Sequence, residues 1–357
     1  MFLTFLSLSL VHSLEVSSPS IKILQLTDLH YGEGEIQDSL NTQAIENQLV
    51  WENPDLVIIT GDLVSGYAWP STAGWFNQSY QKFIKPLKSH NKPWALVLGN
   101  HDIEADLTGD QILSLEKSEP LSLSHKPISS LSHSSNYYVP ITHKGKLQLI
   151  IWALDTGNRN HLEFGFDKVH QDQLEWIKAT QQAIKLASGQ EVPGIVMVHI
   201  PPPEFMDLWP EAKGHRYEDV ACPGDHSRYV LANLSQIIAF VAGHDHFNDY
   251  EGKIGNFSLF YGRKTGYAGV GPEPYFNKGA RVFEYHFEKK RLESYIREET
   301  GEVVRLVGRE GMMEVQEVCA ESKPKNYLFL LVLPFAGLVV IAIGFMRKGE
   351  KPLRFTL

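Results

Sequence analysis

The chain's 357 residues, 43% of them hydrophobic, suffice for a substantial core in one large domain or two. A formal net charge of −9 with no long block of one sign argues against a nonspecific nucleic-acid binder, which needs a basic surface, so no nucleic-acid partner is expected. A negative chain that binds phosphates must create positive potential locally, and bound cations do so.

In chain order, Met1 to Val11 is a short apolar run followed by small residues between Ser13 and Ser18. Residues 1–18 therefore read as a secretory signal peptide, with a buried first strand as the competing reading. Ile21–Thr27, Leu56–Thr60 and Trp94–Leu98 are short apolar strands, separated by helical stretches at Asn41–Trp51 and Thr72–Leu87. That alternation predicts an α/β layered domain. Leu147–Leu154 is a further strand, and Gln171–Leu186 carries Leu174, Ile177 and Ile184 at helical spacing. The serine-rich segment Ser118–Ser135 reads as an exposed loop. Ile195–Val198, Ile237–Val241 and Ser258–Tyr261 are strands, the last expected to join Val282–Phe287 and Arg291–Ile296 in an antiparallel meander.

The folded domain is thus expected over residues 19–299, with a charged stalk over 300–326. Tyr327 to Met346 carries no charged residue and matches the roughly 20 residues that a membrane-spanning helix needs. Arg347, Lys348, Lys351 and Arg354 follow it, which places residues 347–357 in the cytoplasm. Together the two ends predict a single-pass type I protein of the secretory pathway, its main domain extracellular or lumenal. Glycosylation sequons at Asn77, Asn233 and Asn256 agree with that topology. Cys222 and Cys319 could pair in an oxidising compartment, and two free thiols fit as well.

The chemistry gathers at strand ends. Asp28-Leu29-His30 follows the first strand, Gly61-Asp62 the second and Gly99-Asn100-His101-Asp102 the third. His199 ends the strand at Ile195, and Gly243-His244-Asp245-His246 follows the one at Ile237. In open α/β sheets, ligands bind beyond the carboxyl ends of the strands, so these motifs are expected to converge on one crevice. Asp, His and one Asn offer hard oxygen and imidazole donors, a set suited to Zn, Mn or Fe. On extended backbone, Asp28 and His30 would share a face, as would His244 and His246. Asp62 can bridge two cations held about 3.5–4 Å apart. Each motif alone is commonplace; their co-occurrence, each after an apolar strand, carries the reading.

This series resembles the calcineurin-like metallophosphoesterase superfamily over Ile21 to Phe287. Gly243–Asp249, Tyr261–Tyr267, Leu154–Gly157 and Gly279–Val282 are similar to the purple-acid-phosphatase-like branch that includes fungal cell-cycle-regulator phosphatases. The resemblance implies a four-layer αββα sandwich of two mixed sheets flanked by helices, here with one C-terminal transmembrane helix. It implies two divalent or trivalent metal ions, of Mn, Zn or Fe. Asp28, His30 and His246 would hold the first, Asn100, His199 and His244 the second, with Asp62 between. It further implies hydrolysis of a phosphoester substrate, most simply a monoester, by water that the two cations activate. His101 would assist the leaving group, and Asp102 would orient His101. Purple acid phosphatases carry a tyrosine three residues after the bridging aspartate; that position is Ser65 here, which argues against a tyrosinate–ferric site. Arg263 is a candidate phosphate-binding residue on guanidinium geometry, and His226 a weaker neighbour of the crevice. A phosphodiesterase, sphingomyelinase-like or acting on nucleotides, and a non-catalytic metal-binding surface protein are the competing functions.

Overall fold

The computed structural model describes residues 13–125, 130–160, 165–221, 223, 234–311, 327–335 and 338–346. His226, Cys222, Cys319 and Asn233 lie outside these residues, as do the first twelve positions and the tail from 347. The chain divides into two units, Met1–Gln316 and Glu317–Leu357.

The first unit opens with β1 (Leu14–Glu15), β2 (Ser20–Leu26), α1 (Glu35–Glu52), β3 (Leu56–Thr60), α2 (Trp75–Ser89), β4 (Trp94–Val97) and α3 (Gly109–Ser118). Then come β5 (Tyr137–His143), β6 (Lys146–Ala153), β7 (Arg159–Asn160), β8 (Gly165–Phe166), α4 (Gln171–Ser188), β9 (Gly194–Met197), α5 (Glu204–Leu208) and β10 (Gly214–Arg216). The remainder is β: β11 (Ile237–Ala242), β12 (Glu251–Ile254), β13 (Phe257–Tyr261), β14 (Gly279–His286), β15 (Arg291–Glu298), β16 (Val303–Val304) and β17 (Arg309–Gly311).

Two mixed sheets result. One is six-stranded, in the order β16-β15-β14-β2-β3-β4; the other is seven-stranded, in the order β1-β5-β6-β9-β11-β13-β12. Successive side chains of a strand point to opposite faces, and β2, β3 and β4 use both. Ile21, Ile23, Leu56, Ile58, Ala95 and Val97 face the other sheet, meeting Val139, Ile151, Ile195 and Val241. The alternate residues Leu24, Leu26, Val57, Ile59, Trp94 and Leu96 face Ile45 and Leu49 of α1, Phe83 and Ile84 of α2 and Ile112 of α3. Both faces are covered, which is why these strands read as continuous apolar runs. Each such Ile or Leu contributes about 1.5–3 kcal/mol on burial. On the far side α4 covers the seven-stranded sheet, with the Trp176 ring 5.3 Å from that of Trp152. The layers are helix, sheet, sheet, helix.

Several boundaries differ from expectation. Leu14–Glu15 pairs in parallel with β5, and Val16 is buried, so the domain begins inside the stretch read as signal peptide. The small serines around it resemble a cleavage context, but apolar alternation makes it an edge strand. At the other end, β16 pairs with β15 and β17 with β10, so residues 303–311 belong to the domain and not to a stalk. The pairing of β14 with β15 matches the expected meander, whereas β13 lies in the other sheet, parallel to β11.

The serine-rich loop is no bystander. Leu123 N donates to Trp94 O at 2.7 Å, Leu96 N to Ser124 Oγ at 2.9 Å, and Leu98 N to Ser135 Oγ at 3.0 Å. Loop backbone and hydroxyls thereby satisfy the outer edge of β4, which would otherwise expose unpaired groups.

In the second unit, Tyr327–Phe335 and Leu338–Met346 pair as antiparallel strands in place of the expected helix. No helix among the described residues is long and apolar enough to cross a membrane. A charge-free run rich in Val, Ile and Phe satisfies helix and strand patterns alike, and Pro334 disfavours an unbroken helix in water.

Candidate metal centre

The parallel strands β2, β3 and β4 of one sheet and β9 and β11 of the other end at Asp28, Asp62, Asn100, His199 and His244. Beyond the strands, the loops stay bonded to one another. Asp28 N donates to Gly61 O, His30 N to Asp62 O at 3.0 Å, and Gly243 N to His199 O at 3.0 Å. The ligand loops are therefore extensions of the sheets and not free excursions.

Asp28, His30, Asp62 and His244 all have positive φ, at 54°, 56°, 49° and 74°. Non-glycine residues held in this region cost of order 1–3 kcal/mol each, and such strain clusters at functional sites. The expectation of extended backbone at Asp28-x-His30 is thus corrected: kinked backbone brings the two together. His244 and His246 part company, one to each of two groups.

The first group is Asp28, His30 and His246; the second is Asp62, His199 and His244. His30 Nε2 lies 3.1 Å from His246 Nε2, which is 3.5 Å from Asp28 Oδ1. His199 Nε2 lies 3.2 Å from His244 Nδ1 and 3.1 Å from Asn100 Oδ1, so Asn100 joins the second group. Asp62 Oδ2 stands between the two, 3.2 Å from His199 Nε2 and 3.8 Å from His30 Nε2.

Proton positions test whether these residues fit metal. His199 Nδ1 donates to Thr60 O at 2.8 Å, and His246 Nδ1 to Val270 O at 2.8 Å. Ser65 donates to Glu33 at 2.7 Å, so its oxygen takes the Nδ1 hydrogen of His30 at 3.0 Å. The Nε2 atoms of His30 and His246 then present lone pairs that face each other. Such an arrangement repels unless a cation lies between, and outer hydrogen bonds of this kind orient metal-binding histidines. The donor set fits a pair of cations.

Electrostatics agree. Burial first keeps His30 well below its ordinary value and, with the neighbouring His199, brings His244 down to about 3. Against burial, Asp62 and Asp28 raise His199 to about 10. The carboxylates have gathered more negative potential than the imidazoles relieve.

Glycines set the close approach. A Cβ at Gly99 would lie 2.3 Å from both the nitrogen and Oδ1 of Asp62. At Gly61, φ is 86° and a Cβ would meet the His199 ring.

His101 stands at the rim, its side chain 23% exposed, with Nδ1 2.6 Å from Glu104 Oε2. Its ring centroid is 5.6 Å from that of His30. Asp102 does not orient it. That carboxylate is fully buried and accepts from Gly99 N at 2.7 Å and Val64 N at 3.0 Å. It ties the Asp62 loop to the Asn100 loop, and burial, then Asp62, push it up to about 7.

Arg263 is also corrected. It is fully buried, with Nε 2.7 Å from Asp249 Oδ2, NH1 3.3 Å from Glu298 Oε1, and the guanidinium over the Phe276 ring. Its donors serve an internal ion pair and not a substrate phosphate.

Sequence reasoning missed several supports. Lys264 is buried and its Nζ donates to the Asp28 carbonyl at 2.9 Å. Tyr67 reaches Glu33 with its hydroxyl and sets its ring 4.7 Å from His101. The Glu33 and Glu104 partners carry no local signal in the sequence.

Paired imidazole–carboxylate clusters at the strand ends of an αββα sandwich are candidate ligand groups for two metal ions in an α/β phosphoesterase-type fold. The chain belongs to the calcineurin-like phosphoesterase family, which residues 21–248 match. It is 28% identical to "probable inactive purple acid phosphatase 14" of Arabidopsis thaliana, over 75% of this chain and 76% of that protein. It is 26% identical to phosphatase DCR2 of Saccharomyces cerevisiae, over 66% of this chain and 46% of that protein. Among solved structures, a dimetal phosphatase from Danio rerio shares the fold with a TM-score of 0.53 at 14% identity, covering 80% of this chain and 99% of that one.

Proposed function

We propose that this chain hydrolyses phosphate esters, monoesters in preference to diesters. The observation that carries the reading is Asp62, whose carboxylate lies between two separate groups of convergent donors. When bound, two cations would polarise the phosphoryl group and acidify an attacking water. Asp28, His30 and His246 would hold one, Asn100, His199 and His244 the other, and Asp62 both.

The chain's own residues supply the rest. Glu104 fixes the His101 ring through Nδ1, leaving Nε2 to give a proton to the departing oxygen. The Tyr67 ring packs edge-on against His101 and limits its swing. Ser65, bonded to Glu33, holds His30 in register.

The word "inactive" in the Arabidopsis relative's name favours a second reading, a metal-binding protein without turnover. Purified protein with Mn, Zn or Fe added back separates the two on a chromogenic monoester and a matched diester. Metal-dependent monoester turnover supports the proposal; none with any metal at any pH overturns it, and faster diester turnover reverses the preference.

We also propose that the charge-free segment 327–346 and the bases after it tether the protein to a membrane, with the phosphoesterase domain on the lumenal or extracellular side. Carbonate extraction and protease protection of membranes test this; a carbonate-soluble protein or a cytosol-facing domain contradicts it.

A further inference from the structure

Away from the paired groups, His133, Asp167 and His170 bring three ligand atoms within 4.8 Å of one another. They come from the loop before β5, the segment after β8 and the residue preceding α4. Asp167 Oδ2 is 3.2 Å from His133 Nε2, and its Oδ1 is 2.8 Å from His170 Nε2. The two rings are 5.2 Å apart, inclined at 67°. Tetrahedral coordination at 2.0–2.1 Å spaces ligand atoms by about 3.3 Å, against 3.2 Å between Asp167 Oδ2 and His133 Nε2 and at most 4.8 Å among one atom from each of the three residues. We propose that His133, Asp167 and His170 form a third, mononuclear metal site of the two-histidine, one-carboxylate kind, suited to zinc-class cations.

Three features support a built site. His133 has a φ of 64°, and its ring lies so close to Gly157 that a Cβ there would be 2.5 Å from Cε1. Backbone and packing thus aim the ring. Two further carboxylates brace the same loop: Asp172 accepts from Ser132 N at 2.6 Å, and Asp155 from Ser134 N and Ser135 N. Asp155, Asp167 and Asp172 make the surroundings negative, and all three act on His133. The Asp167, His133 and His170 side chains are 25%, 25% and 38% exposed, which leaves room for a water or a further ligand.

The site has a consequence for its neighbour. Phe166, one residue before Asp167, sets its ring 4.4 Å from that of His244. An ion here pins a wall of the dinuclear centre, although its binding does not depend on that centre's activity.

The test is zinc stoichiometry of the full chain, stripped with chelator and titrated with Zn²⁺, with cobalt absorption as a second readout. Wild type is expected to bind one equivalent more than Asp167→Asn or His170→Gln, both with wild-type near-ultraviolet circular dichroism. The visible Co²⁺ absorption that survives in Asp62→Asn is expected to be lost when Asp167→Asn or His170→Gln is added to that variant. Equal zinc stoichiometry in wild type and a folded variant overturns the proposal and leaves a metal-free His–Asp–His hydrogen-bonded trio. Should Asp167→Asn fail to fold, His170→Gln alone decides, because that side chain is 38% exposed and the backbone cap it gives α4 is kept.

Discussion

His101 Nδ1 lies 2.6 Å from Glu104 Oε2, within one turn of chain, and this contact leaves Nε2 as the free ring nitrogen that the proposed function uses. Removing the ring and removing its anchor should therefore differ in degree. His101→Ala is expected to lower kcat about 10²–10⁴-fold with metal content unchanged. Glu104→Gln should cost about 10–100-fold in the same quantity, as other outer-contact losses do. Kinetics on metal-loaded protein, with metal analysis of each variant, check both; metal loss in His101→Ala would place that residue among the ligands instead.

Asp62 belongs to the second donor group and lies 3.8 Å from His30 of the first. Asp62→Asn should deplete metal from both and abolish turnover, measured by elemental analysis beside activity. Retention of both metals with wild-type turnover would remove Asp62 from its bridging role.

Gly99 has no room for a methyl group. In Gly99→Ala the new Cβ presses on the Asp62 backbone and carboxylate. Overpacking of this kind costs about 1–3 kcal/mol, and here the displaced group is a ligand. Lower stability and weaker metal binding are expected together in one denaturation and titration series.

The Arg263–Asp249 pair serves stability. Breaking a buried pair from one side costs about 3–5 kcal/mol, so Arg263→Met should lower the denaturation midpoint sharply. Against burial, Arg263 and then His215 hold the Asp249 carboxyl below its usual range. Its contribution is therefore present above the unfolded value of about 3.9 and is lost as pH falls below it. Acid titration of stability should show a loss below about pH 4 that is smaller in Asp249→Asn, the remainder belonging to other depressed carboxylates such as Asp167.

Most of the site was legible because each ligand follows an apolar strand, and parallel strands deliver their carboxyl ends to one edge. Asp28, Asp62, Asn100, His199 and His244 needed no more than that. What the sequence concealed was conformation and long-range pairing. Nothing local marks Asp28 and His30 as left-handed; spacing alone puts His244 and His246 on one face, whereas the resemblance already divides them between two groups, as the structure does. Arg263 is a phosphate-clamp candidate on guanidinium geometry alone, and only the fold reveals its partners Asp249 and Glu298. The α/β class follows from strand–helix alternation and the four-layer order from the resemblance, whereas Leu14–Glu15 and Val303–Val304 are too short to announce themselves as strands.

The most direct test of the central claim is anomalous diffraction from crystals of the metal-supplemented protein at the absorption edge of the bound element. Two peaks are expected, one bounded by Asp28, His30 and His246, the other by Asn100, His199 and His244, with Asp62 between them. Crystals grown with metal present that show neither peak among these residues would contradict the account.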